Sequence, residues 1–204
     1  QSKVLHRAAL VDAARKEDWS RLPEMLAYIS SDDRDQVFAA SLIRMLRACP
    51  DEKVAPALLG ALKDASPLVR SSAASSLQYL PQPEVEKGLL AALRDDYRGV
   101  RIEAARSLAH YPRERFDSED RRALAIASGE LEASLKVRPD NWVFHYNLGN
   151  YYVERGQPRE ALEAFRTASL LDSNQLMPLV NSSMIHARLG NNTEAERKLR
   201  KALE

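Results

Sequence analysis

The side chains with the widest chemical reach are four histidines, His6, His110, His145 and His186, and a single cysteine, Cys49. Metal chemistry needs three or four ligands placed at short, regular spacings. No two of these histidines stand four apart, none belongs to an H-E-x-x-H, and the chain contains no P-loop, dinucleotide fingerprint or G-x-S-x-G. One cysteine cannot pair internally, and it excludes both a cysteine-based zinc site and the C-x-x-C-H attachment of a c-type haem. Next to Pro50, Cys49 reads as a small apolar residue closing a helix, with a reactive thiol as the alternative. His145 and His186 read as packing or exposed polar residues, or else as two ligands of a metal or haem. The expectation is that there are no catalytic residues and no metal site, and hence no enzyme. Two acid–base pairs recur at the same spacing, Asp64…Arg70 and Asp95…Arg101.

These residues must be positioned by helices. The chain of 204 residues carries 29 Ala and 28 Leu against 18 β-branched residues and 7 Gly, so strong helix formers dominate and sheet formers are scarce. Its 30 basic and 29 acidic side chains are spread evenly along the chain. Neither half has the basic excess of a sequence-independent nucleic-acid binder, so no nucleic-acid partner is expected. No apolar run approaches the roughly 20 residues of a membrane span. A chain beginning at Gln1 with no signal-like stretch is expected to be an excised piece or a mature form.

Two internal periods organise the sequence. At an offset of 31, Val54, Leu58, Leu59, Ala61, Leu62, Asp64, Val69, Arg70, Ala73, Ala74, Ser76, Leu77 and Pro81 are repeated by Val85, Leu89, Leu90, Ala92, Leu93, Asp95, Val100, Arg101, Ala104, Ala105, Ser107, Leu108 and Pro112. Each unit holds two short runs of helical periodicity separated by a polar turn, which predicts a helical hairpin. One hairpin cannot bury both of its apolar faces, so neighbours must stack. The stretch from Ala57 to Ala74, with its echo through Val100 to Ala105, resembles HEAT repeats of the short bacterial, phycobilisome-lyase-like type. From about residue 141 the period becomes 34, pairing Asn147/Asn181, Gly156/Gly190, Glu160/Glu194, Ala161/Ala195 and Ala168/Ala202. Asn147-Leu148-Gly149-Asn150-Tyr151-Tyr152, followed by Gly156, Ala161, Phe165 and Ala168, resembles a tetratricopeptide repeat. In the second copy Ser182-Ser183 replaces Leu148-Gly149 and His186 replaces Tyr152, which predicts looser packing of its first helix.

The fold class expected is all-α: a right-handed α-solenoid of stacked helical hairpins, a HEAT-like array continuing into a tetratricopeptide array. Residues 1–116 form the HEAT-like domain, with 1–48 a degenerate N-terminal cap and 54–81 and 85–112 the regular units. Residues 117–140 form a connecting helix or half tetratricopeptide unit, and 141–204 hold two such units.

What these resemblances imply about binding is specific. In HEAT arrays the repeated Asp and Arg sit near the inter-helix turn and ladder along the stack; the alternative is that Arg70, Arg98 and Arg101 line an edge that meets an acidic partner. In tetratricopeptide arrays the first helix of each unit lines the concave face. Here that face offers Val143, Tyr146, Asn147, Asn150 and Val153 from one unit, and Met177, Val180, Asn181, Met184 and Arg188 from the next. Asparagines there clamp an extended peptide's backbone, while Tyr146 and the methionines supply adaptable apolar contact. Asn150 and Asn181 match the asparagines of the carboxylate-clamp type, but Tyr146 stands where that clamp has a lysine, which argues against a C-terminal carboxylate ligand.

The order of modules, with Arg121-Arg122-Ala123-Leu124 in the spacer, resembles the C-terminal region of bacterial multihaem c-type cytochrome family proteins. That resemblance implies no cofactor in this chain, with haem confined to a missing upstream region. It also implies a protein or peptide partner, such as a redox protein or the haem domain of the parent protein, and a periplasmic location. Without it the compartment would be cytoplasmic. The function expected is a non-enzymatic protein-interaction scaffold, the alternatives being a chromophore-lyase-like enzyme or a purely structural spacer.

Overall fold

The computed structural model describes residues 2–78, 80 and 82–203, without the side chains of Ser2 and His110. Gln1, Pro81 (the proline read as closing the first regular unit) and the side chain of His110 thus lie outside the described residues. Twelve α-helices and no strand are present among them: α1 (Ser2–Arg15), α2 (Leu22–Ile29), α3 (Gln36–Leu46), α4 (Val54–Ala61), α5 (Pro67–Ser76), α6 (Pro83–Ala92), α7 (Arg98–Ser107), α8 (Ser118–Leu135), α9 (Trp142–Glu154), α10 (Pro158–Leu171), α11 (Leu176–Arg188) and α12 (Asn192–Ala202). The chain is all-α, built from stacked helical hairpins. It divides into two compact units, one ending at Leu131 and one starting at Glu132. The division falls inside α8, within the segment read as a connector.

In the first unit the hairpins are α2–α3, α4–α5 and α6–α7. Their second helices, α3, α5 and α7, pack side by side, with α1 against α3, while α4 and α6 touch only lightly. Small residues permit this close layer: Ala39, Ala73, Ala74, Ala104 and Ala105 are all buried. Ser107, buried among them, donates its hydroxyl to the Ala74 carbonyl at 2.8 Å, so the polar atom is satisfied within the layer. The charged Pro112–Ser118 segment folds into a 3₁₀ turn over Arg113–Arg115, and Phe116 drops from its end into the core.

The repeated Asp and Arg form a ladder along this layer. Asp64 accepts from the Ser66 amide at 2.8 Å, and Arg70 donates to the Asp64 carbonyl, also at 2.8 Å, closing the turn of its own unit. The same guanidinium forks onto Asp95 of the next unit, at 2.7 and 2.9 Å. Asp95 in turn accepts from the Tyr97 amide, and Arg101 repeats the pattern, donating to the Asp95 carbonyl at 2.7 Å and forking onto Glu130. Arg34 pairs with Asp64 at the other end. Only 14% of the Arg70 and 12% of the Asp95 side chain reach solvent, so these groups are consumed in holding turn to turn.

Burial pushes the Asp95 carboxyl up, but hydrogen bonds from Arg70 and the Tyr97 amide outweigh it and leave the group below the ordinary aspartate value. The Arg101 hydrogen bond lowers Glu130 against the opposing effect of burial. A folded pKa below the unfolded one adds stability that is complete above the unfolded value and is lost as pH falls through the folded value. The urea midpoint should therefore drop steeply from about pH 4 downward, and Asp95→Asn should flatten that slope. Parallel slopes for variant and wild type between pH 5 and 2 would contradict the assignment.

In the second unit α9 folds on α10 and α11 on α12, with α10 packed against α11. Asn141 caps α9 by accepting from the Val143 amide, and Pro158 opens α10. Gly156 and Gly190, 34 residues apart, take φ of +66° and +78° after α9 and α11, a left-handed turn that favours glycine. Gly149 faces the fully buried ring of Phe165 so closely that an added Cβ would stand 2.4 Å from it. The second hairpin places Ser183 where α9 has Gly149. The Ser183 hydroxyl turns back to the Val180 carbonyl, and Leu199, at the position of Phe165, is 45% exposed. The close glycine–phenylalanine crossing of the first hairpin thus has no counterpart here, although Ser182 and Ser183 on α11 are both buried.

Candidate peptide-binding face

The residues expected to bind lie on α9 and α11, and the structure brings three of them together. Asn181 Nδ2 donates to Asn150 Oδ1 at 2.9 Å and reaches the Tyr146 hydroxyl oxygen at 3.4 Å. The asparagines come from adjacent hairpins, so this chain ties the first helices of the two hairpins to each other. Its arithmetic leaves groups to spare. Both hydrogens of Asn181 Nδ2 are engaged, whereas the Asn150 amide hydrogens, the Asn181 carbonyl oxygen and the Tyr146 hydroxyl hydrogen remain for a ligand. A peptide backbone presents one donor and one acceptor per residue, which these groups match.

Tyr146 divides its roles. Its ring sits between Trp142, at 6.1 Å between centroids, and Phe165, at 5.8 Å, tilted against both, and packs against the core of the unit. The hydroxyl alone serves the face. The adaptable apolar contact expected of Tyr146 therefore falls to others. Met177 and Met184 are each 51% exposed, Val143 is exposed, and Val180 is half-buried beside them. Asn147 is exposed on α9 without a hydrogen bond to another described residue. At the C-terminal ends of α9 and α11 the face opens into a cleft of about 240 Å³, to which Val153 and Arg188 contribute. Its other walls, Gly156, Gln157, Pro158, Ile185 and Leu189, were not among the residues expected to bind. Only the glycine signalled a turn at that place.

Elsewhere in the unit, a ring nitrogen of His145 meets the Pro139 carbonyl at 2.9 Å, and Tyr152 donates to Glu132 at the same distance. His186 Nδ1 is buried with no partner. Among the described residues no cluster of three or more His, Cys, Asp and Glu is arranged to hold a metal ion, and no helix is long and apolar enough to cross a membrane.

Comparison with protein families agrees with this geometry. The HEAT-repeat model matches residues 22–110, and the tetratricopeptide-repeat model matches residues 142–175. The chain carries HEAT repeats followed by a tetratricopeptide repeat. The HEAT match begins at α2, inside the segment read as a degenerate cap, and runs through α7. The tetratricopeptide match covers α9 and α10, the hairpin that carries Tyr146, Asn147 and Asn150. No curated protein matches the chain. HEAT and tetratricopeptide repeats are typical protein–protein interaction modules and generally act as non-catalytic scaffolds, so the partners they suggest are proteins.

Proposed function

We propose that the tetratricopeptide hairpin and its successor bind an extended peptide segment of a protein partner along α9 and α11, with the HEAT array as the scaffold that carries this face. The observation that supports the reading most is the Asn181–Asn150–Tyr146 chain. It holds one donor and one acceptor amide at a partly solvated position between exposed Val143, Met177 and Met184. Apolar side chains surrounding a small set of fixed polar groups are what peptide grooves use, the polar groups taking the backbone and the apolar ones the side chains. Unbranched methionines repack around different side chains, so the contact is adaptable. In the multihaem cytochrome arrangement that the module order resembles, the partner would be a redox protein or the haem domain of the same parent protein.

Selection from a random peptide display library tests this. Wild type should enrich a family of peptides that Asn150→Ala/Asn181→Ala binds at least tenfold more weakly, the equivalent of one or two net hydrogen bonds. Thermal stability should fall only modestly, since Tyr146 and Phe165 keep their ring contact. Equal enrichment by both proteins would exclude this face.

A further inference from the structure

The cleft at the end of the face has a chemistry that specifies part of the ligand. Val153, Ile185 and half-exposed Leu189 supply its apolar lining, together with Gly156 and Pro158. Gly156 has nothing within 4 Å of where a Cβ would be, which keeps the entrance open. At about 240 Å³ the space is below that of drug-sized pockets and suits one or two short aliphatic groups.

Arg188 supplies the charge. It is exposed at the edge of the cleft and makes no ion pair or hydrogen bond with a described residue. Arg166, Arg197 and Arg200 are engaged, with Glu163, Glu194 and Glu196, whereas Arg159, also exposed, does not line the cleft. A second guanidinium touches a lining residue: Arg155 donates to Gln157 Oε1 at 3.2 Å and sits over the Tyr151 ring. A largely aliphatic cleft thus includes one unpaired cation among its lining residues, with a second guanidinium bonded to its Gln157. A planar guanidinium with free donors takes a carboxylate bidentately.

Building on the peptide-binding reading, we infer that the ligand carries an acidic side chain next to a short aliphatic one. The aliphatic group fills the Val153–Ile185–Leu189 cleft and the carboxylate pairs with Arg188. The carboxylate belongs to an Asp or Glu side chain within the peptide, since Asn181 lies about two helical turns before Arg188 and, with Asn150, engages backbone on the way. A bland role for Arg188 also exists: a cation in the last turn of α11 offsets the helix dipole. Stability would report that role, and ligand choice would not.

The test uses the full chain and a display library with both peptide ends blocked, selected against wild type, Arg188→Glu and Arg188→Gln. Wild type should enrich Asp or Glu beside Val, Ile, Leu or Ala. Arg188→Glu should enrich Lys or Arg at the same position. Amidating the acidic residue of a selected peptide should weaken binding to wild type about tenfold and to Arg188→Gln less than twofold. Peptides lost with Asn150→Ala/Asn181→Ala but showing no acidic bias, or the same preference in all three proteins, would overturn the Arg188 assignment while leaving the face intact. Enrichment indifferent to Asn150 and Asn181, or no enrichment at all, would remove the face and this inference together.

Discussion

Truncating Phe165 to alanine should lower the stability of the second unit by about 3–5 kcal/mol, and it should reverse the sign of a second substitution, Gly149→Ala. The Phe165 ring is fully buried and packed against Tyr146, Ala161 and Ile185, so the truncation leaves a cavity that the surrounding helices close only in part. In the wild-type background a methyl at 149 meets three ring carbons at 2.4, 2.5 and 2.8 Å. No Cβ tolerates such contacts, and the ring has no free space to yield into. Gly149→Ala should therefore cost about 1–3 kcal/mol, and Gly149→Leu at least as much. With Phe165 already reduced to alanine the obstruction is gone. The same methyl then fills part of the cavity and adds about 1 kcal/mol of helix propensity, so Gly149→Ala should stabilise. Urea denaturation of the four proteins in the cycle measures this. Additive effects would mean that α9 and α10 do not cross at this pair.

Asp95→Ala should be the most damaging single change in the ladder, at about 3 kcal/mol. It removes the acceptor of the two-pronged Arg70 bond and of the Tyr97 amide, leaving a guanidinium that is 14% exposed with no carboxylate partner, only the Asp64 and Ala65 carbonyls. Replacing both partners, as Arg70→Met/Asp95→Leu, should recover most of the loss, because an uncompensated buried charge costs more than an absent pair. Arg98→Ala offers the contrast. Its guanidinium donates to a single backbone carbonyl, that of Glu130, in an exposed setting, and it should change the midpoint little. If Asp95→Ala and Arg98→Ala shifted the urea midpoint equally, the ladder would be decoration rather than a joint between repeats.

Much of the architecture was legible because both periods are written in small residues. Ala73, Ala74, Ala104 and Ala105 recur where α5 and α7 meet, and Gly149 with Phe165 marks a close crossing through size alone. The laddering of Asp64, Arg70, Asp95 and Arg101 followed from their repetition. Its two ends did not. Arg34 comes from the turn before α3 and not from the position equivalent to Arg70, while Glu130 lies in α8, outside the period of 31. On the candidate face, the period of 34 pairs Asn181 with Asn147, whereas its hydrogen-bond partner is Asn150, about one turn further along α9, so that contact was not legible from the repeat. Nor was the division of Tyr146 into a core ring and a surface hydroxyl, since it depends on Trp142 one turn earlier. The cleft beside Arg188 was hidden for a similar reason. Its lining joins Val153 to Ile185, residues that only the packing of α11 beside α9 brings together.

The side-chain amide resonances of Asn150 and Asn181 give the most direct test of the peptide-binding account. In an ¹⁵N-labelled protein titrated with a display-selected peptide, both NH₂ pairs should shift on binding, together with backbone amides of α9 and α11. Saturable binding that leaves both pairs unmoved, with perturbations confined to the HEAT helices, would contradict it.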